Sequence, residues 1–139
     1  MDRIYSRFRD YVILNRLIHP GDRILLSLSA GKDSMFMLHL IMKLKNEIDF
    51  TAGIFHLNHL TRGSDSDLDE VMVADKAGQY GIPCYIERFD FTKNRIRGIS
   101  FEEQARNTRY NFLKYISEKE KYSKIATAHN RDDNAETVL

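Results

Sequence analysis

The sequence predicts an α/β protein, an open parallel sheet of at least four strands with helices on both faces, Rossmann-like in arrangement. Three observations predict it. Short apolar runs alternate with longer segments of 3.6-residue periodicity along the whole chain, the pattern of βαβ units. No internal repeat interrupts that rhythm. The first apolar run passes through Ser29-Ala30-Gly31-Lys32-Asp33-Ser34 directly into a helical pattern, as a βα turn of such a sheet does.

From the N-terminus, Ile4, Phe8, Tyr11, Val12, Asn15 and Ile18 recur at helical spacing, and His19-Pro20-Gly21-Asp22 breaks that helix. The first strand is residues 24–28. A second helix runs from about 33 to 46, with Met35, Leu38, Ile41, Met42 and Lys45 tracing its faces. The second strand is 51–57. A third helix begins near Ser64-Asp65, and Asp65, Asp67, Asp69 and Glu70 crowd its first turns, where the helix dipole favours carboxylates. It ends around Tyr80-Gly81, with Gly81 in the position after the cap.

The third strand is 82–87, with Pro83 at its start, where a missing N–H does least harm. Ser100-x-x-Glu103 is a capping-box pattern opening a fourth helix, whose apolar positions are Phe101, Ala105, Thr108, Phe112 and Ile116. The fourth strand is 124–128, and a fifth helix is expected from near Asp132. The pattern reaches Leu139 without a stop signal, so residues 1–139 read as a single domain that is incomplete at its C-terminus.

Composition narrows the function classes. The 139 residues suit one domain. With 21 Lys and Arg against 20 Asp and Glu the net charge is +1, so any grip on a polyanion must come from local patches. Apolar residues at 42% fill a core, yet no run approaches the roughly 20 residues of a membrane span. Met1-Asp2-Arg3-Ile4-Tyr5 lacks a signal-peptide profile. The single cysteine, Cys84, lies in an apolar strand and is expected to pack in the core. A cytoplasmic location, away from membranes, is the expectation.

The turn at residues 29–34 is an anion site by construction. Backbone N–H groups at a helix start and the helix dipole attract phosphate, and Gly31 permits close approach. Ser29 and Ser34 add hydroxyls and Lys32 a cation. The pattern is not G-x-x-x-x-G-K-[ST], because Leu26 stands five residues before Gly31 and Asp33 follows Lys32. Ala30 is strained if its position needs φ > 0 and comfortable if it needs only a small residue.

The sheet would bring further polar groups to the same edge. These are His56-Leu57-Asn58-His59 with Arg62-Gly63, Glu102, Glu103, Arg106 and Arg109, and His129-Asn130-Arg131-Asp132-Asp133-Asn134 with Glu136-Thr137. Each has a plain reading when taken singly. The histidines can finish a strand, the arginines can pair with Glu102 or Glu103, and Asp132-Asp133 can start a helix. Lys93, Arg95 and Arg97 fit a solvated loop or a phosphate-backbone contact. No cysteine or third well-spaced histidine supports zinc.

The turn resembles the S-G-G-x-D-S pyrophosphate loop of the ATP pyrophosphatases, with Ala30 in place of the first glycine. The other segments named, together with Ser64 to Glu70, Gly81-Ile82-Pro83, Glu87-Arg88, Ser100 to Arg106 and Arg109-Tyr110-x-Phe112-Leu113, resemble the tRNA(Ile)-lysidine synthetases in order and spacing. Asn134 stands where that family usually has Gln. The resemblance covers about residues 22 to 139 and corresponds to the N-terminal catalytic domain, incompletely.

That resemblance implies an adenine nucleotide alpha hydrolase-like fold, a PP-loop ATP-binding catalytic domain, and ATP and Mg²⁺ as cofactors. The implied ligase adenylates the wobble cytidine of tRNA(Ile) with a CAU anticodon and joins free lysine to it, releasing AMP and pyrophosphate. Ser29, Ala30, Gly31, Lys32, Asp33 and Ser34 would hold the phosphates, His56 and Leu57 would border adenine, and Asp33 would position Mg²⁺. Arg106 and Arg109 would steady phosphates or the adenylated base. Asp132, Asp133 and Glu136 would bind substrate, the last two on the lysine ammonium, with His129 as base. The full-length protein is open to homodimerisation, and residues 1–139 alone are expected to be inactive or weak. Three alternatives stand. A PP-loop tRNA thiolase would show a C-x-x-C pair where this chain has Glu102-Glu103-Gln104-Ala105. The others are another adenylating synthetase and a nucleotide-binding fragment without activity.

Overall fold

The structure, a computed structural model, describes residues 2–60 and 64–128. The elements alternate as expected: α1 (Asp2–Leu14), β1 (Arg23–Ser27), α2 (Lys32–Leu44), β2 (Thr51–Asn58), α3 (Ser64–Tyr80), β3 (Cys84–Arg88), α4 (Phe101–Glu120) and β4 (Lys124–Thr127). The four strands form one sheet in the order β3-β2-β1-β4, and every pairing is parallel. Ser27 is in register with Phe55 on one side and Thr127 on the other, so β1 and β4 finish level while β2 runs on to Asn58. The chain crosses from β1 to β2 in one direction and reaches β4 in the other. That makes the end of β1 a topological switch point, where such sheets leave a crevice.

Strand alternation splits the core into two layers. Ile24, Leu26 and Leu28 with Ala52 and Ile54 pack against Val12, Leu38, Ile41, Leu44, Val73 and Ala77 from α1, α2 and α3. Leu25, Phe55 and Leu57 face Ala105, Leu113 and Ile116 of α4, with Phe91 and Tyr122. β2 is covered on both sides, so it is buried from Ala52 to Asn58 where a half-exposed strand would alternate. A Cβ built on Gly53 would overlap the Tyr122 hydroxyl, so this strand glycine is a place of close approach. Among the described residues no helix is long and apolar enough to cross a membrane.

Local signals placed the ends well. Gly81 takes φ +67, and Ile82 N–H donates to the Ala77 carbonyl, closing α3 as a left-handed cap does. The Ser100 hydroxyl accepts from Glu103 N–H at 3.1 Å and starts α4. Three expectations are corrected. α1 stops at Leu14, because Arg16 turns to φ 51 and Leu17 N–H returns to the Val12 carbonyl; Asn15 and Ile18 lie beyond it. Its core stripe is Tyr5, Phe8 and Val12, while Ile4 and Tyr11 are exposed. Tyr5 serves there because its hydroxyl reaches Glu47 at the rim. β3 begins at Cys84, two residues late, though the Pro83 carbonyl still accepts from Ile54 N–H. Cys84 is half-buried against the α1–α3 layer, and burial pushes its thiol pKa up. The fifth helix expected from Asp132 lies outside the described residues.

Candidate functional site

The phosphate turn is held by its own atoms. The Ser34 hydroxyl accepts from Ser29 N–H at 3.1 Å and lies 3.0 Å from the Ser29 hydroxyl, which in turn accepts from Gly31 N–H at 3.2 Å. Ser34 is buried and serves as the turn's internal post. Gly31 is the N-cap of α2 at φ −65 and ψ 157, and no side chain caps the helix. The first amides of α2 therefore keep their donors for a ligand, at the positive end of the dipole.

Ala30 is not among the described residues with positive φ, which are Arg16, Leu60 and Lys121 besides three glycines. Its backbone does not require glycine, and alanine takes it without strain. Gly31 also has an ordinary φ; its need is space, since a Cβ there would lie 3.3 Å from the Ser29 hydroxyl.

Beyond the turn opens a cleft of about 520 Å³. Its lining joins Ser29, Gly31, Lys32, Asp33 and Ser34 to Ser27 and Leu28, to His56, Leu57 and His59 at the end of β2, to Arg109 of α4, and to Thr127 and Ala128 after β4. Of the expected nucleotide-binding residues, only Ala30 is absent from the lining. Buried His56 places Nδ1 2.8 Å from the Leu28 carbonyl, so Nδ1–H donates and the ring is fixed against the start of the turn.

Arg109 is half-buried, and burial, with Arg106 nearby, holds its pKa below the usual guanidinium value. It has no carboxylate partner among the described residues, and it lines the cleft. Arg106, one turn earlier, is exposed and does not line the cleft. Neither arginine pairs with Glu102 or Glu103 among the described residues. Arg62, Gly63, His129, Asp132, Asp133, Asn134 and Glu136 lie outside the described residues.

Two features escaped the sequence. Asn58 is buried; its amide donates to Asp67 at 3.1 Å and Glu70 at 3.2 Å, and its carbonyl accepts from Leu60 N–H at 2.9 Å. Glu70 also takes an ion pair from Arg88 at 2.5 Å, which with the Asn58 contact holds its carboxyl below the usual range. The acidic start of α3 thus clamps the ends of β2 and β3 in addition to meeting the helix dipole. Buried Gln104 pins the basic loop: it donates to the Asn94 carbonyl and accepts from Arg95 and Ile96 N–H. Arg95 is therefore committed to the loop's own structure. Only an amide following Leu57 and a glutamine on an apolar helix face signalled either in advance.

A family model for the PP-loop domain matches residues 5–139. The chain is 37% identical over its full length to a tRNA(Ile)-lysidine synthase of Chlorobaculum tepidum, spanning 42% of that protein. It is likewise 37% identical over 99% of its length to one of Petrotoga mobilis, spanning 43% of it. It thus spans less than half the length of these curated relatives. Among solved structures, a U34-tRNA thiolase from Methanococcus maripaludis shares the fold at a TM-score of 0.75 and 22% identity, over 94% of this chain and 45% of that one. An NH3-dependent NAD synthetase from Campylobacter jejuni does so at 0.64 and 14%, over 94% and 57%. With the match running from Tyr5 through the self-braced turn to Leu139, the chain belongs to the PP-loop domain family.

Proposed function

We propose that this chain binds ATP in the cleft and is the catalytic part of an enzyme that adenylates the wobble cytidine of tRNA(Ile) bearing a CAU anticodon and joins lysine to it. The observation that carries this reading is the 37% identity over the entire chain to a curated tRNA(Ile)-lysidine synthase.

The residues present suit a triphosphate: an uncapped helix start, two hydroxyls, Lys32 and Arg109 face one cleft. The cytidine C2 oxygen attacks the α-phosphorus and pyrophosphate leaves. The lysine amine then adds at C2, AMP leaves, and the surplus ammonium proton passes to a base. Amides at the start of α2 and the Lys32 ammonium take up the charge that develops on pyrophosphate. His56 and Leu57 border the adenine. Asp33, with phosphate oxygens, is the donor set that would hold Mg²⁺, which neutralises pyrophosphate charge when bound. Arg109 grips phosphate within the cleft, and Arg106 is left to substrate outside it. Asp132, Asp133 and Glu136 are assigned to substrate, the last two to the lysine ammonium, and His129 to the base. All four follow β4, whose end lies beside the phosphate turn. The reaction belongs to the cytoplasm, and the complete enzyme is open to dimerisation.

The test is release of AMP and pyrophosphate from ATP by protein carrying this chain, with CAU-anticodon RNA and lysine. Release that requires both RNA and lysine is expected. Product that needs a sulfur donor instead would move the protein to the thiolases, against which the solitary, half-buried Cys84 stands. No lysine-dependent product would overturn the reading.

A further inference from the structure

His59 lines the cleft together with the turn at 29–34. β2 sends Ala52 and Ile54 to the α1–α3 layer and Phe55 and Leu57 to the α4 layer. His59 continues on the α4 side, its ring edge-on to Phe91 at 5.3 Å and 68° and to Phe101 at 6.1 Å and 63°. Phe91 is fully buried and packs in turn on Phe89 and Phe101. Phe101 opens α4, and Arg109 lies two turns along the same helix.

The backbone around His59 is also fixed. Asn58, on one side, is saturated by Asp67, Glu70 and Leu60 N–H. Leu60, on the other, is held at φ 58, a left-handed conformation that a leucine adopts only when its surroundings impose it. A histidine set so firmly, on aromatic backing, at the wall of a ligand cleft is built to present its ring.

We propose that His59 is a binding residue for the acceptor nucleobase and that Asn58 is the positioning residue that sets it. The inference rests on the function proposed above and adds where the base lies. The turn at 29–34 leads into α2 of the α1–α3 layer, whereas His59 reaches the cleft backed by rings on the α4 side, the side we assign to the base. Unstacked bases are recognised by packing on aromatic side chains. A lysine ammonium would require carboxylates, whereas His59 is backed by aromatic rings.

Steady-state kinetics with ATP, lysine and CAU-anticodon RNA test it. His59→Ala is expected to raise the KM for RNA at least about fivefold, the weak end of base–aromatic stacking, with the KM for ATP within about twofold. His59→Phe, which keeps a ring, should stay near wild type. Asn58→Ala should reproduce the His59→Ala split between the two KM values, with thermal melts separating it from general loss of fold. An unchanged RNA KM in His59→Ala, an equal rise for ATP, or a His59→Phe as poor as alanine would each overturn the proposal. If wild-type protein yields no lysine-dependent product, that result falls on the function. The ring is then judged by equilibrium binding of the same RNA, where wild type is expected to bind at least about fivefold tighter than His59→Ala, and equal binding overturns it.

Discussion

The two walls of the cleft are built by opposite means. On one side, Ser29, Gly31 and Ser34 brace one another within a single turn, and the donors they leave open belong to the next few residues. On the other, His59 and Arg109 line the cleft from a strand end and a helix far apart in the chain, and Phe91 and Phe101 back His59 only because one face of the sheet packs. A turn that holds itself keeps its shape when its surroundings loosen. A wall assembled by packing is only as firm as the core behind it, so damage to that core should fall on substrate before it falls on nucleotide.

The largest break is expected within the turn itself. Lys32→Ala removes an exposed cation that supports no packing, so stability should be unchanged while kcat/KM for pyrophosphate release falls by about 10². A loss below about threefold in an initial-rate assay would mean that the charge on the leaving group is met elsewhere.

The next separates the two walls. Gly53→Ala drives a methyl into Tyr122, which belongs to the α4-side core, and overpacking of that kind costs roughly 1–3 kcal/mol. Urea unfolding should show that loss, and the KM for RNA should rise more than the KM for ATP. Equal rises would show that both walls share one support.

The smallest effect concerns the clamp beneath His59. Arg88 and Asn58 hold the Glu70 carboxyl below its ordinary 4.5, so the stabilisation is present above that pH and is lost as pH falls through the lower, folded value. Arg88→Ala should therefore melt below wild type near neutral pH, and the gap should narrow below about pH 4. A gap constant with pH would remove the ion pair as its cause.

The same contrast explains what could be read from the chain. The order of elements, the parallel sheet and the glycine and serine caps follow from local rules, and Gly81 and Ser100 behave as those rules require. The strand-to-helix turn at 29–34 was legible for the same reason, and Ala30 could be judged once its backbone was seen to avoid positive φ. The face of α1 was misjudged because Tyr5 carries a hydroxyl whose partner, Glu47, lies in the turn just past α2. Arg106 and Arg109 look equivalent in sequence, yet helix rotation brings only Arg109 to the cleft. Asn58 and Gln104 were missed because a buried amide is defined by partners distant in the chain, and nothing local announces them.

The most direct measurement is a crystal structure of the protein with ATP. The triphosphate should lie across Ser29 to Ser34, with its oxygens on the amides that open α2 and near Lys32 and Arg109. Nucleotide bound elsewhere while that turn stays empty would contradict the account.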